Sequence, residues 1–342
     1  MNKLITCYIT VIVLLLLSSC HKARVVNTAF YYWKTVYVLN STEKQYFNKL
    51  HSHKLYLRMM DVDNGDNGPV PVSPVTFKAT FADSVQVIPV VFIVNDILKN
   101  QTQQQLDNLA AKIVYYVNGK MVQAGKTSFN ELQIDCDWTR TTRDNYFFLL
   151  KRIKANTNFK NKQLSATLRL HQLKNQKSNG VPPVNRVMLM CYNMGNLRQY
   201  GSQNSILNQS ELEKYVGDNL NNYQLPVDIG LPLFSWAVVF RQKQYAGIAK
   251  RLNQQSFTDS LTFKLTNNNL YILQKDLPEL GLIHGDEIRW ETIPADKLSE
   301  AAKYIEKHLA SDTVNIIYFH LNEPTLKHYN YETLEKTAAL FR

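Results

Sequence analysis

The sequence predicts an α/β fold, a (β/α)8 TIM barrel with a β-rich insertion after the seventh strand. Three observations lead there. Eight strand-like runs punctuate residues 30–342, most connections between them read as amphipathic helices, and the third run, Val85 to Val94, is nearly all apolar, as strands covered on both faces are. Such a barrel needs about 250 residues plus insertions, which this length accommodates. The alternatives are an open doubly wound sheet or two separate domains. The chain shows no internal repeat and no glycine-rich phosphate fingerprint.

AFYYWKTVYVL, Ala29 to Leu39, is rich in aromatic and β-branched residues and reads as the first strand. Asn40 and Glu43 form a capping box before a helix carrying Tyr46, Phe47 and Leu50. Lys54 to Val62 is the second strand, and the turn-dense DNGDNGPVPVSP after it reads as a loop. The helix after the third strand places Leu106, Leu109, Ala110, Ile113 and Val117 on one stripe, with Gly119 as its expected stop. Glu131 to Trp138 is the fourth strand, and Tyr146, Leu149, Leu150 and Ile153 mark the helix behind it. Gln163 to Leu170 is the fifth; Lys174 to Asn185 is too rich in Pro and Gly for a full helix. Arg186 to Gly195 is the sixth, followed by a helix through Leu220 capped by Ser210 and Glu213. Val227 to Phe240 is the seventh, and the insertion spans Arg241 to Ile293, with a hairpin turning at Asn267 to Asn269. Thr313 to Asn322 is the eighth, and Tyr331 to Phe341 closes the chain as a helix.

The N-terminus reads as an export signal. MNKLITCYITVIVLLLLSSC has a lysine at position 3, an apolar run too short for a bilayer core, and a Leu-Ser-Ser-Cys ending that resembles a bacterial lipobox. Residues 1–19 are then the signal peptide, Cys20 the lipidation site, and residues 20–29 a tether. A retained N-terminal anchor is the alternative, and it too places the rest outside the cytoplasm. His21 and the lack of a following acidic run favour an outer membrane anchor facing the periplasm. Cys7 falls in the signal, leaving Cys136 and Cys191, which lie in segments two strands apart and are expected to be free buried thiols. The formal charge is +11, yet the basic stretches, Lys151 to Lys162 and Lys174 with Lys177, are interleaved with Asn and Gln and lack stacking aromatics. They read as a solvated basic face, with no nucleic-acid partner.

In a barrel the site lies at the carboxyl ends of the strands. Those ends offer Trp33 and Lys34; Arg58, Asp61 and Asp63; Asn95 and Asp96; Asp135 and Asp137; Arg169 and His171; Tyr192 and Asn193; Trp236; and His320, Asn322 and Glu323. Such a polar and aromatic set suits gripping a sugar by its hydroxyls and its apolar face. Asp135 and Asp137 point to the same face of a strand, and at about 7 Å apart one pKa should rise unless Arg169, Arg58 or Lys34 is close. The bland reading is a carboxylate pair that binds loop amides and an arginine. A serine triad lacks its G-x-S-x-G elbow. A metal set from His51, His53, Asp61 and Asp63 fails because the two histidines precede the strand that the aspartates end; neither metal nor cofactor is expected.

At this point the residues resemble a family. LQIDCDWT is similar to the fourth-strand signature of chitinase-like glycoside hydrolases of family 18, D-x-x-D-x-D-x-E, and LMCYNMG is similar to its sixth-strand M-x-Y-D. The resemblance runs from about Phe30 onward and extends to bacterial lipoproteins of unassigned role. It implies the same barrel, a carbohydrate ligand, and a stacking tryptophan, here Trp236 or Trp290. The departures are Leu132 for the first aspartate, Thr139 for the glutamate that protonates the leaving oxygen, and Asn193 for the sixth-strand aspartate. A threonine hydroxyl is no useful acid at neutral pH. Two readings follow. One is a hydrolase with a rearranged pair, Asp137 with Asp61, Asp135 or Glu323. The other is an inactive glycan-binding lipoprotein that uses Trp33, Tyr192 and Trp236 as platforms, with Arg58, Arg169, His171 and Asn193 around them.

Overall fold

The computed structural model describes residues 24–66 and 68–342; the signal and Cys20 lie outside the described residues. Eight parallel strands close into a barrel: β1 (Val25–Tyr32), β2 (Lys54–Gly65), β3 (Gln86–Ile93), β4 (Glu131–Asp135), β5 (Gln163–Arg169), β6 (Arg186–Met190), β7 (Val227–Pro232) and β8 (Thr313–Phe319). Each pairs with its sequence neighbour, and β1 bonds both β8 and β2, which closes the ring. Outside it run α1 (Ser41–Lys49), α2 (Gln103–Gln123), α3 (Arg143–Ala155), α4 (Leu170–Lys174), α5 (Gln209–Tyr215), α6 (Ala295–Lys307) and α7 (Tyr331–Ala339). None of the described helices is long and apolar enough to cross a membrane.

Local chemistry accounts for the helix ends. The Asn40 side chain accepts from the Glu43 N–H while Glu43 reaches back to the Asn40 N–H, the reciprocal cap that opens α1. Helix α2 runs on through Gly119, because its buried stripe resumes at Met121, and it ends before Gly125, whose φ is +72°. The cap of α5 is Asn208, whose side chain accepts from the Glu211 N–H, rather than Ser210. The helix breaks at Val216, so Leu220 lies in a separate short helix, Gly217–Asn221.

Strand limits differ from the sequence reading, the first strand ending at Tyr32 rather than Leu39, the sixth at Met190 rather than Gly195 and the eighth at Phe319 rather than Asn322, with four further changes. Strand β1 begins at Val25, because Val25 to Thr28 already pair with Thr313 to Ile316, which shortens the expected tether. The turn-dense stretch after Asp61 forms a hairpin in which Asp61 to Gly65 face Val72 to Gly68; its Pro69 and Pro71 sit on an edge strand, where a missing N–H is tolerated. Strand β4 ends at Asp135, and Trp138 turns outward to stack on Tyr146 at 5.1 Å. Strand β7 ends at Pro232, so Trp236–Arg241 leaves the barrel as a strand of the insertion.

The insertion is a five-stranded sheet of Trp236–Arg241, Gln244–Ile248, Phe263–Asn267, Leu270–Leu273 and Glu287–Glu291, with antiparallel pairings that include the expected hairpin. One face builds a small core from Ala237, Val239, Phe263, Leu273, Ile288 and Trp290. From the same sheet, Arg289, fully buried, bonds Glu291 and the carbonyls of Leu197, Gln199 and Gly201. That guanidinium fastens the loop after β6 to the insertion.

Period-2 alternation turns Glu131, Gln133 and Asp135 of β4 into the barrel, all buried. At the amino end Arg186 donates to Asp228 at 2.6 Å, and Asn315 donates to the same carboxylate through its backbone N–H and Nδ2. The Lys54 ammonium bonds Asn315, and Ser165 bonds Glu131. His51 and His53 line a recess at this end, whereas Asp61 and Asp63 lie at the far end of β2, so no common metal site joins them. Cys136 and Cys191 are buried and free.

Candidate functional site

The carboxyl-end mouth has an aromatic floor. The Phe319 ring lies 5.6 Å from both Tyr31 and Trp33, 5.4 Å from Tyr192 and 5.8 Å from Phe234, and Phe234 meets Trp236 at 5.2 Å. These rings come from the ends of β1, β6, β7 and β8, and each prefers a tilted or edge contact to a flat stack. Gly230 makes room for one of them. A Cβ there would stand 2.5 Å from the Met188 sulfur and 3.3 Å from the Tyr192 ring.

On the β4 and β5 side the mouth is charged. Thr167 donates to Asp135 at 2.7 Å, and Arg169 faces Asp137 at 3.4 Å. Burial pushes the Asp135 carboxyl up to about 7; the Thr167 hydroxyl opposes this, Asp137 adds to it, Arg169 opposes it and Asp61 adds a little. Asp137 is half-exposed. Asp61 is held in the fork of Arg58, which is itself 7% exposed, donates to the Ser73 carbonyl, and lies 5.9 Å from the Trp33 ring. His171 sits at the surface at the start of α4, and desolvation and the Arg169 guanidinium hold its pKa below the ordinary histidine value.

Three neighbouring strand ends carry buried polar atoms that have no protein partner: Asn193 Oδ1 after β6, Trp236 Nε1 after β7 and His320 Nδ1 after β8. These three stand together at the mouth, whereas the other such atoms among the described residues, Tyr56 Oη and Trp290 Nε1 among them, lie elsewhere. Asn193 is also held at φ +53°, a conformation uncommon outside glycine. Burial, reinforced by Lys34, lowers the His320 pKa to about 4, so this imidazole is neutral at pH 7 and can either donate or accept.

The sequence-expected residues therefore divide. Trp33, Arg58, Asp61, Asp135, Asp137, Arg169, Tyr192, Asn193 and Trp236 lie at the strand ends around the mouth, whereas Glu323 belongs to another group. It accepts from Asn40 at 2.9 Å, Thr42 at 3.2 Å and Lys327 at 2.7 Å, and the Lys327 bond holds its pKa low. Glu323 thus braces α1 against the turn after β8 as an ionised acceptor, which makes it a poor second acid. Trp290 is buried in the core of the insertion beside Phe257, so of these two only Trp236 reaches the mouth, where Trp33 also lies. Thr139 is exposed, and its hydroxyl is shared with Thr141 and Thr142, the latter bonded to Asn95. The sequence reading missed Phe234, Phe319 and the role of Thr167. Thr167 was visible in principle, since Ser165, Thr167 and Arg169 alternate on one face of β5.

No family model matches the chain, and no curated protein matches it in sequence. Solved structures do match in shape. The spore cortex-lytic enzyme SleL of Bacillus megaterium aligns with a TM-score of 0.56 at 13% identity, over 93% of this chain and 74% of that one. A chitinase from Chromobacterium violaceum aligns at 0.55 and 10% identity, over 93% and 99%. Catalytic domain 2 of the Group II chitinase of Ostrinia furnacalis, a mutant in complex with penta-N-acetylchitooctaose, aligns at 0.51 and 12% identity, over 93% and 96%. At these identities the likeness establishes the fold alone, a (β/α)8 barrel.

Proposed function

We propose that this protein is a lipid-anchored barrel that holds a carbohydrate at its carboxyl-end mouth without hydrolysing it. The carrying observation is the juxtaposition of an aromatic floor with the unpartnered atoms of Asn193, Trp236 and His320. A pyranose presents apolar C–H faces and a rim of hydroxyls, and this surface complements both. Arg169 and Asp137, at the exposed side of the mouth, add a charged donor and a charged acceptor for further hydroxyls.

We read the mouth as lacking an acid at the position where the resembling family has it. Glycoside cleavage needs a carboxylic acid placed at the leaving oxygen. Thr139 stands at the position where the resembling family has that acid, Asp61 is engaged by Arg58, and Glu323 is engaged elsewhere. The oligosaccharide bound to a structurally similar chitinase domain supports the choice of ligand class. The lipid anchor rests on the Leu-Ser-Ser-Cys ending at Cys20 and on the location read from it, the outer membrane.

One observation favours a hydrolase instead. Asp135, with its pKa near 7, has the protonation state a general acid needs. A glycan array probed with the chain starting at His21, followed by product analysis of every binder, separates the two. Binding without cleavage in both wild type and Asp137→Asn is the expected result. Cleavage that titrates near pH 7 and disappears in Asp135→Asn would replace this proposal with the hydrolase, and silence across the array would end both.

A further inference from the structure

We propose that the amino-terminal end of the barrel is a docking face for an anionic bilayer, so that the mouth opens away from the membrane. Two independent features meet at that end. The first is where the chain enters. Arg24 is clamped there, donating to the carbonyls of Ser311 at 2.8 Å, Leu309 at 2.6 Å and Phe341 at 2.9 Å. Cys20 precedes it by four residues, which span at most about 14 Å when fully extended. A lipid on Cys20, the anchor included in the function proposed above, would therefore hold this end close to the headgroups.

The second feature is charge. The turns leading into β4 and β5 carry Lys126, Lys160 and Lys162, and the last turns of α1, α3 and α6 add Lys49, Lys154 and Lys307. These six are exposed or partly exposed, and the strand-entry turns oppose them with Asp83 and Asp312. Further back, Glu335 lines the recess with His51 and His53, and Glu306 is held by Arg24. Lys126 and Lys162 are presented on rigid supports, Lys126 bonded to the Ala82 carbonyl at 2.9 Å and Lys162 over the Phe129 ring at 5.1 Å. At the mouth, by contrast, cations and carboxylates alternate, as in Arg58 with Asp61 and Arg169 with Asp137. Part of the surplus of the chain, +11 in full and +10 once Lys3 leaves with the signal, is thus gathered on the end that the tether would bring to the lipid. Lysines within a Debye length of an anionic surface are attracted to it, and salt screens the attraction.

The test uses the lipidated chain on vesicles of phosphatidylcholine alone or with phosphatidylglycerol, read by amide hydrogen exchange. With phosphatidylglycerol, exchange in residues 124–130 and 156–162 should slow by about threefold or more, reverting at about 0.5 M salt. The triple variant Lys126→Glu, Lys160→Glu, Lys162→Glu should lose that difference while its melting temperature stays within a few degrees of wild type. Equal protection on both vesicles, or protection of the loop 193–208 at the mouth, would overturn the orientation. Retention on phosphatidylcholine after washing reports the anchor separately, so the anchor and the basic face can fail independently.

Discussion

Asp228 and Asp135 are both buried aspartates on the inner wall, at opposite ends of one barrel, and burial raises the pKa of each. Their surroundings differ. Asp228 is met by Arg186 and by two donors of Asn315, which bind β6, β7 and β8 into one network. Asp135 receives one hydroxyl, from Thr167, and sits between Arg169, which favours its charge, and Asp137 and Asp61, which oppose it. Asp228 is spent on cohesion, while Glu131 at the same end has one hydroxyl, from Ser165, and is raised by burial as well. What sets Asp135 apart is its place beside the half-exposed Asp137 and Arg169 at the mouth.

The contrast is most exposed at Asp228. Replacing it with alanine leaves the Arg186 charge buried without its partner, and stability should fall by about 3–5 kcal/mol in urea denaturation. A loss below about 1 kcal/mol would mean that the amino-end pair is not structural. Asp135→Asn should act the other way. A carboxyl with a raised folded pKa binds more protons folded than unfolded between the ordinary aspartate value of 3.8 and about 7. Stability therefore falls as pH rises through that window, and the penalty is complete above it. The asparagine variant should be the more stable by about 1–4 kcal/mol at pH 8, with the difference vanishing towards pH 4. Thermal melts at the two pH values decide it, and a variant that is less stable at pH 8 would show that the Asp135 charge is well compensated.

The parts of this contrast that were legible in the sequence are those with a local signal. The eight strands, the Asn40 cap and the hairpin of the insertion follow from periodicity and turn chemistry. Period-2 alternation places Asp135 on the inner wall, whereas Asp137 lies beyond the end of β4. What stayed hidden depends on distant partners. The engagement of Glu323 by Asn40 and Thr42 spans some 280 residues of sequence, as does the Glu43 contact with the Glu323 N–H. The floor rings Phe234 and Phe319 looked like ordinary core residues, and only barrel closure brings the ends of β7 and β8 together. The departure of Trp236 from β7 is not legible because Val227 to Phe240 is apolar apart from Asp228 and Ser235, and such a run does not mark where one sheet ends and another begins.

If the mouth is unfinished because a ligand completes it, its polar atoms should matter to binding and little to folding. Trp236→Phe keeps a ring and removes the unpartnered indole N–H. Affinity for the glycan identified on the array should fall about tenfold, or roughly 1.4 kcal/mol, with the melting temperature held or slightly raised. Calorimetry measures the first and a thermal scan the second. A drop in melting temperature of many degrees would class Trp236 with Asp228 as a structural residue, and the contrast between the two ends would weaken.

The smallest stability effect belongs to the partly exposed pair of Arg169 and Asp137, 3.4 Å apart with the carboxylate half in solvent. Arg169→Gln should cost below about 1 kcal/mol of stability, as surface pairs do. Its informative consequence lies on Asp135. Arg169 is the cation that favours the Asp135 carboxylate, so its removal leaves burial and Asp137 less opposed, and the Asp135 titration should move above about 7. Carboxyl carbon shifts followed by NMR over pH 5 to 9 would read this directly. An unchanged midpoint would mean that Arg169 does not reach Asp135, and the mouth would then be two separate charge systems instead of one.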